Sequence, residues 1–461
     1  MNEPSAEPVS RWYRWLILLI ISFVCFGTYY IYDSVTPLKG MLQDSLGLTS
    51  ADYGLLFSAY SVANVFLFMV LISGLLVDRL GVKRSGIIFS LLCAIGSGLT
   101  ALGASESLPS NLGPLYGWLD GVSPRAWSAE LKVMLVGRMI YGIGAEAILV
   151  LANKVLARWF LGKELALAYA LNLSVLRLGT ASALFFQAPI ALRFGVVPAL
   201  WFATFVMGGG IAAYFVYIAV EKRAGRALEM RQAEAGLRSE EDVFRWREAF
   251  SFDATFWLIT LLSLCFYSAV FTFQSYAPDF LSHKFGYGAV LAGTYATALV
   301  WGTAFFTPIF GWIVDKRGKR ATLMIIGASL CIPCYLLLAL TRLHPVVPIF
   351  FIGMSLSLVP AALWAAIPMM VPASRLGTAF GVVNWIQNVG LMLFPWIAGK
   401  IADIHTTVEN VAGEETMHID YTMTLMLFAG LASAGLVAAL LLKWVDRRRT
   451  DGISIENVIK V

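Results

Sequence analysis

The sequence predicts an all-α polytopic membrane protein, with 12 transmembrane helices arranged as two six-helix halves. Three observations carry that prediction. The chain is 59% hydrophobic and only 14% charged over 461 residues, with a mean hydropathy of +0.74; an ordinary soluble domain is about 25% charged. Its apolar residues gather into runs of about 20, the length that crosses about 30 Å of hydrocarbon at 1.5 Å per residue. One loop motif occurs twice, at equivalent places in the two halves. A soluble fold of this size needs a wetter surface, and the 30 Phe and 14 Trp exclude a disordered chain.

The runs of the first half lie, to within about three residues, near 15–36, 52–77, 84–104, 131–156, 164–192 and 196–220. Those of the second half lie near 254–280, 288–314, 320–342, 344–371, 373–401 and 420–443, with about the same margin. Between them, residues 221–253 carry a stretch rich in Arg, Glu and Ala that reads as a cytoplasmic linker with helical tendency. The expected organisation is an N-terminal bundle over 1–220, the linker over 221–253, and a C-terminal bundle with a short cytoplasmic tail over 254–461. The first run is too long for a cleavable signal peptide.

The 34 Lys+Arg against 29 Asp+Glu give a net charge of +5. That balance does not imply nucleic acid, because the basic residues sit in short clusters between apolar runs. The clusters are Arg11/Arg14, Arg79/Lys83/Arg84, Arg158/Lys163, the linker, Lys316/Arg317/Lys319/Arg320, and Lys443 with Arg447 to Arg449. All fall on one side if both termini and the linker are cytoplasmic, as the positive-inside rule requires. The acidic segment 403–420 then falls outside.

The five Cys lie in apolar stretches, and Cys331 and Cys334 form a CxxC inside a span, so no disulfide framework is expected. The four His fall near outer boundaries and suggest no metal cluster. No phosphate-cradling GK[ST] loop, HExxH or GxSxG pattern marks an enzyme, and no cofactor is implied. The implied partners are the lipid bilayer and a small-molecule substrate, for a chain expected to act as a monomer.

The repeated motif reads Gly74, Asp78, Arg79, Gly81, Lys83, Arg84 after the second run, and Gly311, Asp315, Lys316, Gly318, Lys319, Arg320 after the eighth. In each, Asp follows the first Gly by four residues and the second Gly follows by three more. The first Gly permits close helix contact, the Asp can cap a helix or pair with a base, and the second Gly turns the chain. A single copy reads as a solvated basic turn; two copies in register are specific. They resemble the cytoplasmic-loop motif of the major facilitator superfamily, and the resemblance covers essentially the whole chain. It implies a gating role for these residues as the two halves rock. In the fourth run Arg138, Gly142 and Gly144 resemble a second motif of that superfamily, with Tyr141 where a polar residue is usual.

Ionisable groups in hydrocarbon are functional hypotheses by default. Arg138, Lys154 and Arg177 are the basic residues inside spans, and Glu146 is the acid that stands out. Counting along the fourth and fifth runs puts Glu146 and Arg177 each about 20 Å from either end, on consecutive antiparallel helices. Arg138 sits in the outer half and Lys154 near the cytoplasmic mouth. One reading is a structural ion pair. Another is a clamp for a zwitterion, with Glu146 on an ammonium and Arg177 forking onto a carboxylate. A third is an anion site built on Arg138 and Arg177 with Glu146 as counter-ion. A transporter-like sensor that binds without moving its ligand is a further alternative. Polar or aromatic groups that could share a cavity are Tyr30, Tyr60, Asn64, Asn153, Tyr267, Gln274, Tyr295, Trp364, Gln387 and Asn388. Taken singly, each reads as a helix–helix hydrogen bond or core aromatic ahead of a substrate contact; as a group they imply a polar cavity of mixed character.

Three stretches, 25–33, 142–179 and 385–390, resemble the branch of the superfamily that contains animal lysosomal dipeptide transporters. In that branch an acid in span four and an Arg in span five hold the two termini of a peptide, and Glu146 and Arg177 match those positions. The resemblance implies a dipeptide transporter working by alternating access. Residues 1–14 carry no acidic dileucine sorting signal, so a bacterial-type inner membrane is expected, with the lysosomal membrane as the alternative.

Overall fold

The computed structural model describes residues 11–124, 126–160, 164–234, 252–372, 375–411, 414–448 and 456. The first half contains α1 (Arg11–Asp33), α2 (Lys39–Leu46), α3 (Ser50–Phe66), α4 (Met69–Gly103), α5 (Leu108–Leu112), α6 (Pro114–Gly121), α7 (Ala129–Phe160), α8 (Leu165–Phe194) and α9 (Val196–Glu234). The second contains α10 (Ala254–Phe285), α11 (Ala289–Ala296), α12 (Ala298–Arg317), α13 (Arg320–Leu340), α14 (Val346–Met370), α15 (Leu376–Ile404) and α16 (Thr422–Asp446). An antiparallel hairpin of β1 (Thr406–Val411) and β2 (Glu414–Ile419) joins the last two helices, with Thr406 opposite Ile419. The apolar runs of the sequence give no sign of this hairpin in the acidic segment 403–420.

Among the described residues, 11 helical segments are long and apolar enough to cross a membrane. The exception is the predicted run 52–77. There α3 spans 17 residues, the chain leaves helical geometry at Leu67 and Phe68, and α4 then starts. Phe68 takes φ 52°, a left-handed conformation that is uncommon for a side chain of this size. The helix then runs on to Gly81, where φ 76° and ψ 153° turn the chain into the predicted third run. Hydropathy could not show the break, because Phe66, Leu67 and Phe68 are as apolar as their flanks. The predicted run 288–314 is interrupted at Thr297, between α11 and α12. α9 continues to Glu234, so the start of the expected linker is helical; residues 235–251 lie outside the described residues.

The two halves repeat one packing scheme. α1 packs on α8 and α9 as α10 packs on α15 and α16. α3 packs on α7 as α12 packs on α14, and α4 meets α9 as α13 meets α16. Lipid tails are as apolar as Leu, so such helices associate through close fit, small residues and interhelical hydrogen bonds. Between the halves the fit is tight where α3 crosses α15. A Cβ on Gly54 would lie 2.3 Å from the Pro395 carbonyl oxygen, and one on Gly399 would lie 2.2 Å from that of Ser50. No side chain larger than hydrogen fits there without separating the two helices.

The Gly54→Val variant should therefore prop the halves apart at this crossing. A cysteine placed at the fully buried Thr36 should react with a maleimide faster in that background than alone. Unchanged reactivity would show that the crossing does not hold this end shut.

Candidate functional site

The middle of the bundle holds a cavity of about 80 Å³, lined from both halves. Its wall includes Thr28, Tyr29 and Tyr32 of α1, Tyr60 of α3, Glu146 of α7, Phe271 of α10 and Gln387 of α15. Thr28, Tyr29 and Tyr32 share one helical face by their spacing. Glu146 is half-buried, and the Tyr60 hydroxyl donates to its Oε1 at 2.8 Å. Arg177 of α8 is buried, with its guanidinium 5.9 Å from the Tyr29 ring centroid and 5.4 Å from that of Phe271. Its Nε and Nη1 are buried without a hydrogen-bond partner. Glu146 thus lines the cavity, and Arg177 packs against Tyr29 and Phe271 of its wall, without the two being ion-paired to each other.

The other sequence candidates divide. Gln387 lines the cavity and accepts from Ser263 Oγ at 3.2 Å. Tyr267 stacks on Phe271 and accepts from Trp364 Nε1 at 2.9 Å, so that pair supports the wall. Asn64 and Asn388 join the halves through a 3.3 Å side-chain bond. Gln274 donates to Asp33 Oδ1 at 2.9 Å, also across the halves. Asn153 is exposed and lies farther along α7.

Tyr30 does not line the cavity: it packs against Phe26 and Phe202, because one residue rotates a helix face by about 100°. Tyr29 and Tyr32 take the position expected of it. Tyr295 packs against Tyr287 and His344, also away from the cavity. Arg138 is fully engaged within the first half. It donates to the carbonyls of Leu56, Ile31 and Tyr32 at 3.1, 3.2 and 3.1 Å, and the Tyr32, Phe57 and Tyr141 rings surround it.

One end of the bundle is locked between the halves. Lys39 of α2 is buried and donates to Gln43 Oε1 at 2.7 Å and to Asp279 Oδ2 of α10 at 2.8 Å. The Tyr421 hydroxyl donates to the same Asp279 oxygen, and His283 Nε2 lies 3.7 Å from the other. The rings of Tyr53, Tyr276 and Tyr421 stand 5.8 to 6.0 Å from the Lys39 ammonium. Nearby, Asp403 of α15 caps α3, accepting from the N–H of Ser50 at 2.6 Å and of Ala51 at 2.9 Å. The sequence reading missed this lock. Its charges stand at the ends of apolar runs where they look solvated, and Lys39 and Asp279 are 240 residues apart.

The repeated motif lies at the opposite end. The second glycine of each copy takes positive φ as expected, 76° at Gly81 and 62° at Gly318. The first glycines do not make the close contacts expected of them. A Cβ on Gly74 would meet only Lys154 Nζ, at 4.0 Å, and one on Gly311 would meet nothing within 4 Å. Asp78 accepts from Lys154 Nζ at 2.6 Å, and the Gly74 carbonyl accepts from the same ammonium at 3.0 Å. Arg79, Arg84 and Asp315 are exposed, Lys316 lies over the Trp312 ring, and Arg320 is buried. In the second copy Glu456 caps α13: its carbonyl accepts from Lys319 N–H at 2.9 Å and its carboxylate from Thr322 N–H at 2.8 Å.

The profile of the Major Facilitator Superfamily matches residues 18–395 and, again, 259–457. The chain is 30% identical over 408 residues to the lysosomal dipeptide transporter of Homo sapiens, covering 86% of this chain and 82% of that one. It is 21% identical to a probable sulfoacetate transporter of Cupriavidus necator, covering 85% of this chain and 87% of that one. Among solved structures, the nucleoside transporter NupG superimposes with a TM-score of 0.65 at 14% identity, over 92% of this chain and 98% of that one. A bacterial homolog of the human lysosomal transporter Spinster, inward-facing and unoccupied, gives 0.64 at 17% identity, over 94% and 95%.

Removing one partner of a buried ion pair strands the other charge and costs about 3–5 kcal/mol, whereas replacing both with apolar groups of like size is near neutral. Lys39→Met should accordingly lower the melting temperature more than Lys39→Met combined with Asp279→Leu. If the double variant melts at or below the single one, Lys39 and Asp279 do not act as a desolvated pair.

Proposed function

The chain belongs to the major facilitator superfamily and is a multi-pass membrane transporter, not an enzyme, and on that premise we propose that it carries dipeptides, or small zwitterions like them. The observation that carries this reading is the buried guanidinium of Arg177, packed against Tyr29 and Phe271 of the cavity wall with Nε and Nη1 lacking a hydrogen-bond partner, while the Glu146 carboxylate lines the cavity and does not pair with it. A buried charge left without a partner is costly, and a ligand carboxylate would relieve it through a bidentate pair. An ammonium would meet Glu146, already oriented by Tyr60. The termini of an extended dipeptide stand up to about 7 Å apart, which suits two charges held apart better than two in contact. The identity to a dipeptide transporter over most of the chain supports the same reading.

In this proposal Tyr29, Tyr32, Phe271 and Gln387 form the rest of the wall, and Tyr267, Trp364, Asn64, Asn388 and Gln274 hold it in place. Transport proceeds by alternating access, with the N-terminal bundle of residues 1–220 and the C-terminal bundle of residues 254–461 rocking about the cavity. The Lys39–Asp279 lock is the outer gate, and the two loop motifs control the inner one. Both termini are cytoplasmic, the chain acts as a monomer, and the membrane is a bacterial inner membrane. An anion reading has a relative with an anionic substrate to recommend it. It requires Arg138 beside Arg177, however, and the donors of Arg138 already serve three backbone carbonyls.

Proteoliposome uptake tests this. Dipeptides should be carried, and the same dipeptides with an acetylated amine or an amidated carboxyl should not. A charge-assisted hydrogen bond contributes about 1.5–3 kcal/mol, so Glu146→Gln and Arg177→Ala should each weaken binding by roughly tenfold or more. Equal transport of blocked dipeptides, or unchanged affinity in both variants, would overturn the zwitterion clamp.

A further inference from the structure

The connection between α4 and α7 carries a feature that transport does not use. α6 is an eight-residue helix fastened to the start of α7 at both its ends. The Tyr116 hydroxyl donates to Glu130 Oε1 at 2.9 Å. The Lys132 ammonium donates to the carbonyls of Leu119 and Asp120 at 2.9 and 3.0 Å, the last ones of the helix, where a cation is electrostatically favoured. Tyr116 and Leu119, half-buried, face the protein. Leu115 and Trp118, one turn apart, do not: they are 50% and 63% exposed, and Val122 just beyond them is 38% exposed. A fastened helix with an apolar stripe left uncovered needs an occupant for that stripe.

The level of α6 along the bundle points to the occupant. α7 starts at Ala129, and the first exposed residue on it is the apolar Val136. Lys132, which grips the end of α6, precedes Val136 by one turn, about 6 Å along the axis. α4 carries another exposed apolar residue, Leu102, just before its own end at Gly103. Held at Lys132, α6 therefore lies about one turn beyond the level at which exposed apolar residues begin on α7 and end on α4. That is the depth of the lipid headgroups, where Trp is enriched and short amphipathic helices lie flat.

We propose that α6 is an interfacial anchor, with Leu115, Trp118 and Val122 inserted into the headgroup layer of the bilayer. Its bonds to Glu130 and Lys132 transmit that hold to α7, the helix that carries Glu146, and so fix the height of the first half in the membrane.

The test places an environment-sensitive fluorophore on cysteines at Leu115→Cys and Trp118→Cys, with Asp120→Cys as the control. The protein is held in phosphatidylcholine nanodiscs, and the unsubstituted chain, whose five cysteines are buried, serves as the blank. At Leu115 and Trp118 the emission should shift to the blue and fall at least about twofold when lipid bearing a nitroxide near the headgroup is included. At Asp120 a water-soluble nitroxide should be the stronger quencher. Equal behaviour at all three positions would place the stripe in water and overturn the anchor. Protection of Leu115 and Trp118 from both quenchers would overturn it too, by showing that a protein surface covers the stripe.

Discussion

Taking an ion out of water costs several kcal/mol unless other groups replace its hydration. The way this protein meets that cost at each buried charge organises the rest of the molecule. Lys39 and Asp279 pay it with each other, across the seam between the halves. Arg138 meets it with three backbone carbonyls and a ring of aromatic faces inside one half. Asp33 takes a donor from Gln274 of the opposite half. Arg177 is different, because two of its nitrogens are buried with no acceptor. An unsatisfied charge beside a cavity invites a ligand, whereas a satisfied one resists having its partners exchanged. The same distinction separates Arg177 from Arg138, two arginines within spans that the sequence alone offers together as an anion site.

The internal repeat is reproduced at the level of packing and then departs from symmetry in its partners. Corresponding helices make corresponding contacts in the two halves, and the second glycine of each loop motif turns the chain in the left-handed region. The acid of the first copy is held by Lys154 of α7. In the second copy it is the helix that follows, α13, whose N-terminal N–H groups are taken up, by Glu456. A duplicated scaffold therefore carries two differently tethered loops.

Close helix contact has a consequence for motion. Lipid supplies no hydrophobic force to drive helices together, so the crossing of α3 on α15 relies on the absent side chains of Gly54 and Gly399 and on bonds such as those of Asp403 to the α3 N-terminus. These contacts are local and separable. In the alternating access proposed above, a seam held by a few polar contacts and close glycine crossings parts without unfolding either half.

Much of this was readable along the chain. Hydropathy is a sum over neighbouring residues, so the run lengths, the two halves and the loop motif are properties of local sequence, and the depth of Glu146 and Arg177 follows from counting. Other features depend on how helices rotate and which ends meet. The choice of Tyr29 and Tyr32 over Tyr30 is a matter of about 100° about the α1 axis, set by the packing of Tyr30 against Phe202. The break at Leu67 and Phe68 changes no hydropathy. The lock of Lys39 on Asp279 joins residues 240 apart, and each, read alone, looks like a solvated charge at the end of a span. The sequence by itself determined a membrane body of two repeated halves with two opposite charges near the middle of consecutive helices. Tertiary structure decided which buried charges find full sets of partners, as Arg138 does, and which do not, as Arg177 does not, because partners are brought together only in space.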